Sequence, residues 1–208
     1  MSPDGGTRAG CGKLRPVPVK AAVSEVKGLW FVVGRRYVLD HYGEEKLAAC
    51  IARMGDRNAQ ALSNPIASQW YPEETLQQTL GVLDLVVAGG DQEAFVRIML
   101  ECSLLAVNHF FRALLRLVPA PTMLRKIPKM WSLIRRGPGR VVVEADETHA
   151  VVKYSDFPYF DDVHYRGLTV GAVRSLLVLC GAMQAEVEIT AYTPETLTLD
   201  VRYGRRSW

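Results

Sequence analysis

The chain has 208 residues, 49% hydrophobic and 23% charged, a composition near the soluble globular average. That length suits one domain able to bury a sizeable core. The net charge of +3 is ordinary, and no apolar run reaches the roughly 18 residues that a membrane span needs.

Residues 1–22 read as a flexible tail, with Gly5, Gly6, Gly10, Gly12, Pro16 and Pro18 and no apolar periodicity. The tail lacks the apolar stretch of a secretory signal, so a cytoplasmic location is expected. Residues 23–208 are expected to form a single α+β domain. Cys11, Cys50, Cys102 and Cys180 are scattered without a C-x-x-C pair; the last three sit in apolar helical patterns as small core side chains.

Leu29, Trp30, Val33, Tyr37 and Val38 recur at helical spacing, although Phe31-Val32-Val33 also suits a strand. Tyr42-Gly43 stops that helix, and a second follows with Leu47, Ala48, Ile51 and Met54 buried. Residues 56–69 read as a loop. A new helix opens at Trp70-Tyr71-Pro72-Glu73-Glu74, with acids in its first turn and Leu76, Leu80, Leu83 and Val87 on its apolar face. Gly89-Gly90 ends it. Asp91 caps the next helix, whose pattern runs through Phe95, Ile98, Met99 and Cys102.

Pro119-Ala120-Pro121 forces a turn. The following amphipathic segment sets Met123, Leu124, Ile127, Trp131 and Ile134 against Arg125, Lys126, Lys129, Arg135 and Arg136, with a kink or restart at Pro128. From Arg140 the period changes to two. Residues 140–145 and 150–155 read as a hairpin, 156–164 as an aromatic and acidic loop, and 168–180 as an apolar helix. Residues 185–193 and 196–203 close the chain as two more strands. A helical N-terminal layer on a four-stranded antiparallel sheet follows, with the C-terminal order strand, strand, helix, strand, strand.

Charge is unevenly spread. Residues 102–143 hold eight Arg or Lys and no acid, whereas residues 144–190 hold eight acids and three bases. Either the two regions pair across the fold or the basic one faces a partner. Arg125, Lys126, Lys129, Arg135 and Arg136 are the candidate docking residues. An acidic protein ranks first as partner and an anionic membrane surface second. Nucleic acid ranks last, since Trp131 is the one aromatic platform among these cations. Exposed helical faces also suit a homodimer.

Lys27-Gly28-Leu29-Trp30-Phe31, Trp70-Tyr71-Pro72, Lys129-Met130-Trp131 and Tyr165-Arg166-Gly167 resemble an uncharacterised family of about 200 residues found mainly in myxobacteria, which implies no activity. The element order is more distantly similar to an α+β superfamily. Its members are the haem-nitric oxide/oxygen binding domains, the 4-vinyl reductase domains and the TRAPP-type trafficking subunits. That resemblance implies an apolar cavity between helices and sheet. It also allows a test: the haem domains carry a proximal histidine after a helix like Phe110-Phe111-Arg112-Ala113-Leu114-Leu115, where this chain has Val118. Their Tyr-x-Ser-x-Arg pattern meets Tyr154, Asp156 and Pro158. No haem and no other cofactor is therefore expected.

His41, His109, His149 and His164 do not stand at metal-ligand spacing, so no metal is expected. No nucleophile elbow or phosphate loop is present. Trp30, Tyr37, His109, Phe110, Phe111 and Trp131 are the candidate cavity residues, with ordinary core packing as the competing reading. The expected function is a non-enzymatic cytoplasmic binding or signalling module with an apolar cavity and a basic docking surface. The alternative is a small-molecule sensor without the haem ligand pattern, or a small enzyme using His109.

Overall fold

The computed structural model describes residues 24–107 and 109–204, with all side chains except those of residues 57 and 109–111. The expected tail therefore lies outside the described residues. The chain runs β1 (Glu25–Lys27), α1 (Leu29–Arg53), α2 (Gly55–Ser63), β2 (Trp70–Pro72), α3 (Glu73–Leu83), a π turn (Asp84–Ala88) and α4 (Gln92–Leu105). Then come α5 (His109–Leu115), α6 (Ala120–Leu124), α7 (Ile127–Ile134) and β3 (Arg135–Arg136). The C-terminal part is β4 (Arg140–Ala145), β5 (His149–Ser155), α8 (Val163–Leu179), β6 (Met183–Thr193) and β7 (Thr196–Gly204).

The four-stranded sheet is antiparallel in the order β4-β5-β7-β6, in the expected α+β arrangement. Period-two patterning decides its two faces. Ala150, Val152 and Tyr154 of β5, Leu197, Leu199, Val201 and Tyr203 of β7, and Val187 of β6 are all buried. Lys153 and Arg202 on the opposite face are exposed. Helix α8 lies on the buried face, with α6 and α7 beside it against β4, and α3 and α4 cover α8 from above.

Several expectations change. Residues 29–53 form one helical span, but Gly43 adopts φ +79°, so the expected stop survives as a sharp kink at a position that tolerates a left-handed backbone. The stretch read as a loop contains α2, because Ala61 and Leu62 bury one face against α1 despite a polar sequence. Trp70–Pro72 pairs as β2 with β1, and the helix starts one residue later. Asp91 caps α4 as expected, accepting from the amides of Glu93 and Ala94. Pro128 occupies the first turn of α7, where its missing N–H costs nothing, so the segment restarts there. The end of the basic segment is no helix. Arg135 and Arg136 form β3, hydrogen-bonded to β1 in a second sheet of order β2-β1-β3 that the strand pattern had not revealed.

The α4–α8 contact positions everything above the main sheet. A Cβ at Gly171 would fall 2.8 Å from the Leu100 amide nitrogen and 2.9 Å from the Val96 carbonyl oxygen. Backbone cannot yield as a flexible side chain would, so glycine is what lets the helices meet. Gly171→Ala should therefore cost about 1–3 kcal/mol by overpacking. Urea denaturation reads this directly, and an unchanged midpoint would show that the helices separate without strain.

Candidate functional site

The N-terminal turns of α1, the end of α4, α7, β5 and α8 leave an apolar pocket of about 300 Å³ between them. Leu29, Trp30 and Val33 come from α1, Ala106 and Val107 follow α4, and Ile127, Met130, Trp131 and Ile134 line it from α7. Leu168, Ala172 and Leu176 supply the α8 wall at roughly helical spacing. Three hydroxyls also line it, but each turns back on its own helix. Ser103 Oγ donates to the Met99 carbonyl, Thr169 Oγ1 to that of Tyr165 and Ser175 Oγ to that of Ala172, each at 2.7 Å. Their donors are spent locally, so these walls offer a ligand little beyond hydrocarbon.

One corner is different. Arg135, 8% exposed, donates through Nε to Glu73 Oε1 at 3.2 Å, and Glu73 is fully buried. The Tyr165 hydroxyl donates to the same carboxylate oxygen at 3.1 Å and to the Glu73 carbonyl at 2.9 Å. The guanidinium lies 4.2 Å over the Trp131 ring and 5.4 Å from that of Phe157. Trp131 in turn meets Phe157 edge-on at 5.0 Å and Tyr154 at 5.4 Å. Burial pushes the phenols of Tyr154 and Tyr165 well up, the Glu73 charge adding to the effect at Tyr165, so both stay protonated.

The loop after β5 builds this corner. Phe157 and Phe160 are 1% and 0% exposed, so the aromatic residues of the expected loop belong to the core while Asp156 and Asp161 face solvent. Asp162 caps α8 by accepting from the His164 amide, and its Oδ2 takes a hydrogen bond from Gln77. His164 sits between Asp162 (2.8 Å from Nδ1) and Asp84 (3.1 Å from Nε2), tying α8 to the end of α3 on a side away from the pocket.

Of the candidate cavity residues, Trp30 and Trp131 line the pocket. Tyr37 is buried farther along α1, where its ring stacks on His41 at 4.3 Å. The backbones of His109, Phe110 and Phe111 lie in α5, but their side chains fall outside what is described. Among the candidate docking residues, Arg125, Lys126, Lys129 and Arg136 are exposed. Arg125 donates to the Ala145 carbonyl, and Arg136 lies 4.0 Å over the Trp70 ring, which Lys27 also approaches at 4.6 Å. Arg135 is buried. The helical register put it on the polar side, but the switch to β3 turns it inward to Glu73. Sequence reasoning missed Glu73, Tyr154, Phe157 and Tyr165 as site residues. The Glu73–Arg135 pair spans 62 positions, and no spacing rule reaches that far.

Neither a protein-family model nor a curated protein sequence matches the chain. Solved structures do. An unliganded Fe(II) H-NOX protein from K. algicida is 14% identical with a TM-score of 0.61, over 88% of this chain and 98% of that one. This is the H-NOX fold. A mutant of the T. tengcongensis H-NOX (10% identical, TM-score 0.61) covers 88% of this chain and 100% of its own. An oxygen binding H-NOX domain related to soluble guanylate cyclases, in its oxygen complex, is 10% identical at a TM-score of 0.57, over 85% and 94%. At these identities the likeness is one of fold alone.

The described pocket does not fit a haem. Its lining contains no imidazole or thiol, the Met130 thioether has no histidine in the lining to pair with as axial ligand, and the phenol of Tyr154 is kept neutral by burial. Its one cation, Arg135, already faces the Glu73 carboxylate, leaving no free charge for propionates. Val118 lies in a separate pocket with Leu117 and Tyr203. Added haemin should give no sharpened or shifted Soret band; a clean shift would place an axial ligand at Met130 or outside the described side chains. The ion pair also makes a stability prediction. Arg135→Met strands the buried Glu73 carboxylate and should cost about 3–5 kcal/mol, most of it recovered by adding Glu73→Met. Denaturant titration of the single and double variants checks this, and equal losses in both would show that the charge is not the cause.

Proposed function

We propose that the chain is a non-enzymatic, cytoplasmic ligand-sensing or signalling module. In this reading a small apolar molecule occupies the pocket, and the exposed basic residues dock an acidic protein. The observation that carries it is the position of α7. Ile127, Met130 and Trp131 of that helix line the pocket, while Lys129 on the same helix and Lys126 just before it face solvent. Occupancy felt by the inner side of so short a helix has a direct route to its outer side. A ligand shifts the basic surface only by as much as it prefers one α7 arrangement over another.

Binding is supported over turnover by the lining. Among the described residues it offers hydroxyls spent on their own helices, one neutral phenol and one paired guanidinium, and no carboxylate, imidazole or thiol to move protons near neutral pH. The fold shared with H-NOX proteins, one of them described as oxygen binding, agrees with a sensing role. The pocket volume is at the small end of ligand sites, which run from about 300 to 1,000 Å³.

Ala172 projects from α8 into the pocket with a side chain of one carbon, so Ala172→Phe should fill the space. Ethylbenzene titrated calorimetrically should bind the wild-type chain and fail to bind Ala172→Phe, with melting temperatures that stay within a few degrees. Equal heats from both proteins would remove the pocket as a ligand site.

A further inference from the structure

The apolar pocket has a polar end whose chemistry is one-sided. Tyr154 is 4% exposed and lines the pocket, yet its hydroxyl makes no hydrogen bond among the described residues. Arg135 lines the same pocket and uses Nε on Glu73, while its two Nη groups donate to nothing described. Trp131 touches both, one ring face meeting the guanidinium at 4.2 Å and the ring packing against Tyr154 at 5.4 Å. Burial keeps the phenol protonated, so the unpaired groups that line the pocket at this end can donate, whereas Glu73 Oε2, buried without a partner of its own, does not line the pocket. Donors so deeply buried carry a desolvation cost until an acceptor meets them.

Charge then selects among acceptors. The Arg135 guanidinium is balanced by Glu73 at 3.2 Å, so the corner is neutral overall. A carboxylate or phosphate would bring a net negative charge to the buried, largely apolar end of the pocket, which is costly without a free cation. A carbonyl oxygen brings two lone pairs and no charge. A purely hydrocarbon ligand would leave the donors unmet.

We propose that the pocket selects a small, neutral, mostly apolar molecule bearing a carbonyl group, such as a ketone, ester, lactone or amide. Its oxygen accepts from the Tyr154 hydroxyl and from Arg135 Nη, and its apolar body lies along Trp30, Met130, Leu168 and Ala172. This rests on the reading of the pocket as a binding site and adds the chemical class of the ligand.

Three probes of similar size separate the possibilities: acetophenone carries a neutral carbonyl, benzoate a carboxylate and ethylbenzene no acceptor. In calorimetric titration of the full chain at pH 7, acetophenone should bind about ten-fold more tightly than ethylbenzene, the gain of a hydrogen bond in a buried site. Benzoate should bind more weakly than acetophenone. Tyr154→Phe keeps the ring and its packing; it should bring acetophenone to within about two-fold of ethylbenzene while leaving ethylbenzene unchanged. Equal affinities for acetophenone and ethylbenzene in the wild type would overturn the carbonyl preference and leave the pocket reading standing. Tightest binding of benzoate would overturn the neutral head group. A preference that survives Tyr154→Phe would overturn the role of that hydroxyl. Failure of all three probes would overturn both the preference and the pocket reading.

Discussion

The buried pair of Glu73 and Arg135 is the constraint on which the upper half of the molecule depends. Glu73 opens α3, Arg135 opens β3, and the Tyr165 hydroxyl from α8 completes the group. Three segments far apart in sequence are thereby held at one point. A buried ion pair is weak evidence for stability in itself, because desolvation offsets much of the attraction. Its value here is positional. A guanidinium that must reach Glu73 cannot remain on the outer face of α7, so the helix ends at Ile134 and the backbone continues as a strand beside β1.

The same pair decides what the pocket can hold. Arg135 lies over Trp131 with Phe157 nearby, and Trp131 and Tyr154 close one end of the space. The pocket is therefore neutral, rich in aromatic surface and capped by donors. The other walls come from α8 and α1, with α8 held close to α4 because Gly171 allows backbone approach. An H-NOX fold here has an interior whose buried guanidinium is already paired and whose described pocket lining holds no histidine. The fold alone would have suggested a different chemistry, and a fold specifies where a site lies more firmly than what it binds.

Much of the architecture was legible in the chain. The four strands of the main sheet, the hairpin turn at residues 146–148, the Asp91 cap and the Gly89-Gly90 stop all follow from local periodicity and turn chemistry. The losses occurred where tertiary contact overrode local preference. Helix α2 was hidden because a polar stretch needs few apolar residues to lie on a neighbour. Strands β1, β2 and β3 are two or three residues long and carry no readable period. Phe157 and Phe160 sit among acids in a stretch legible only as a loop, and no local period marked either as core. Trp30 and Trp131 were legible as pocket residues because both lie on apolar helix faces. Tyr154 was read only as a strand residue, and Glu73 only as a helix opener.

By itself, then, the sequence determined the order of elements and the faces of the main sheet. Those are properties of neighbouring residues, set by periods of 2 and 3.6 and by steric limits at proline and glycine. Only the tertiary structure decided that Arg135 is an interior residue while Lys126 and Lys129 remain outside. It also decided that Tyr154 and Arg135 meet at the end of one pocket. Both outcomes depend on partners dozens of positions away, and electrostatic pairing and aromatic packing act through space, where the sequence carries no period to record them.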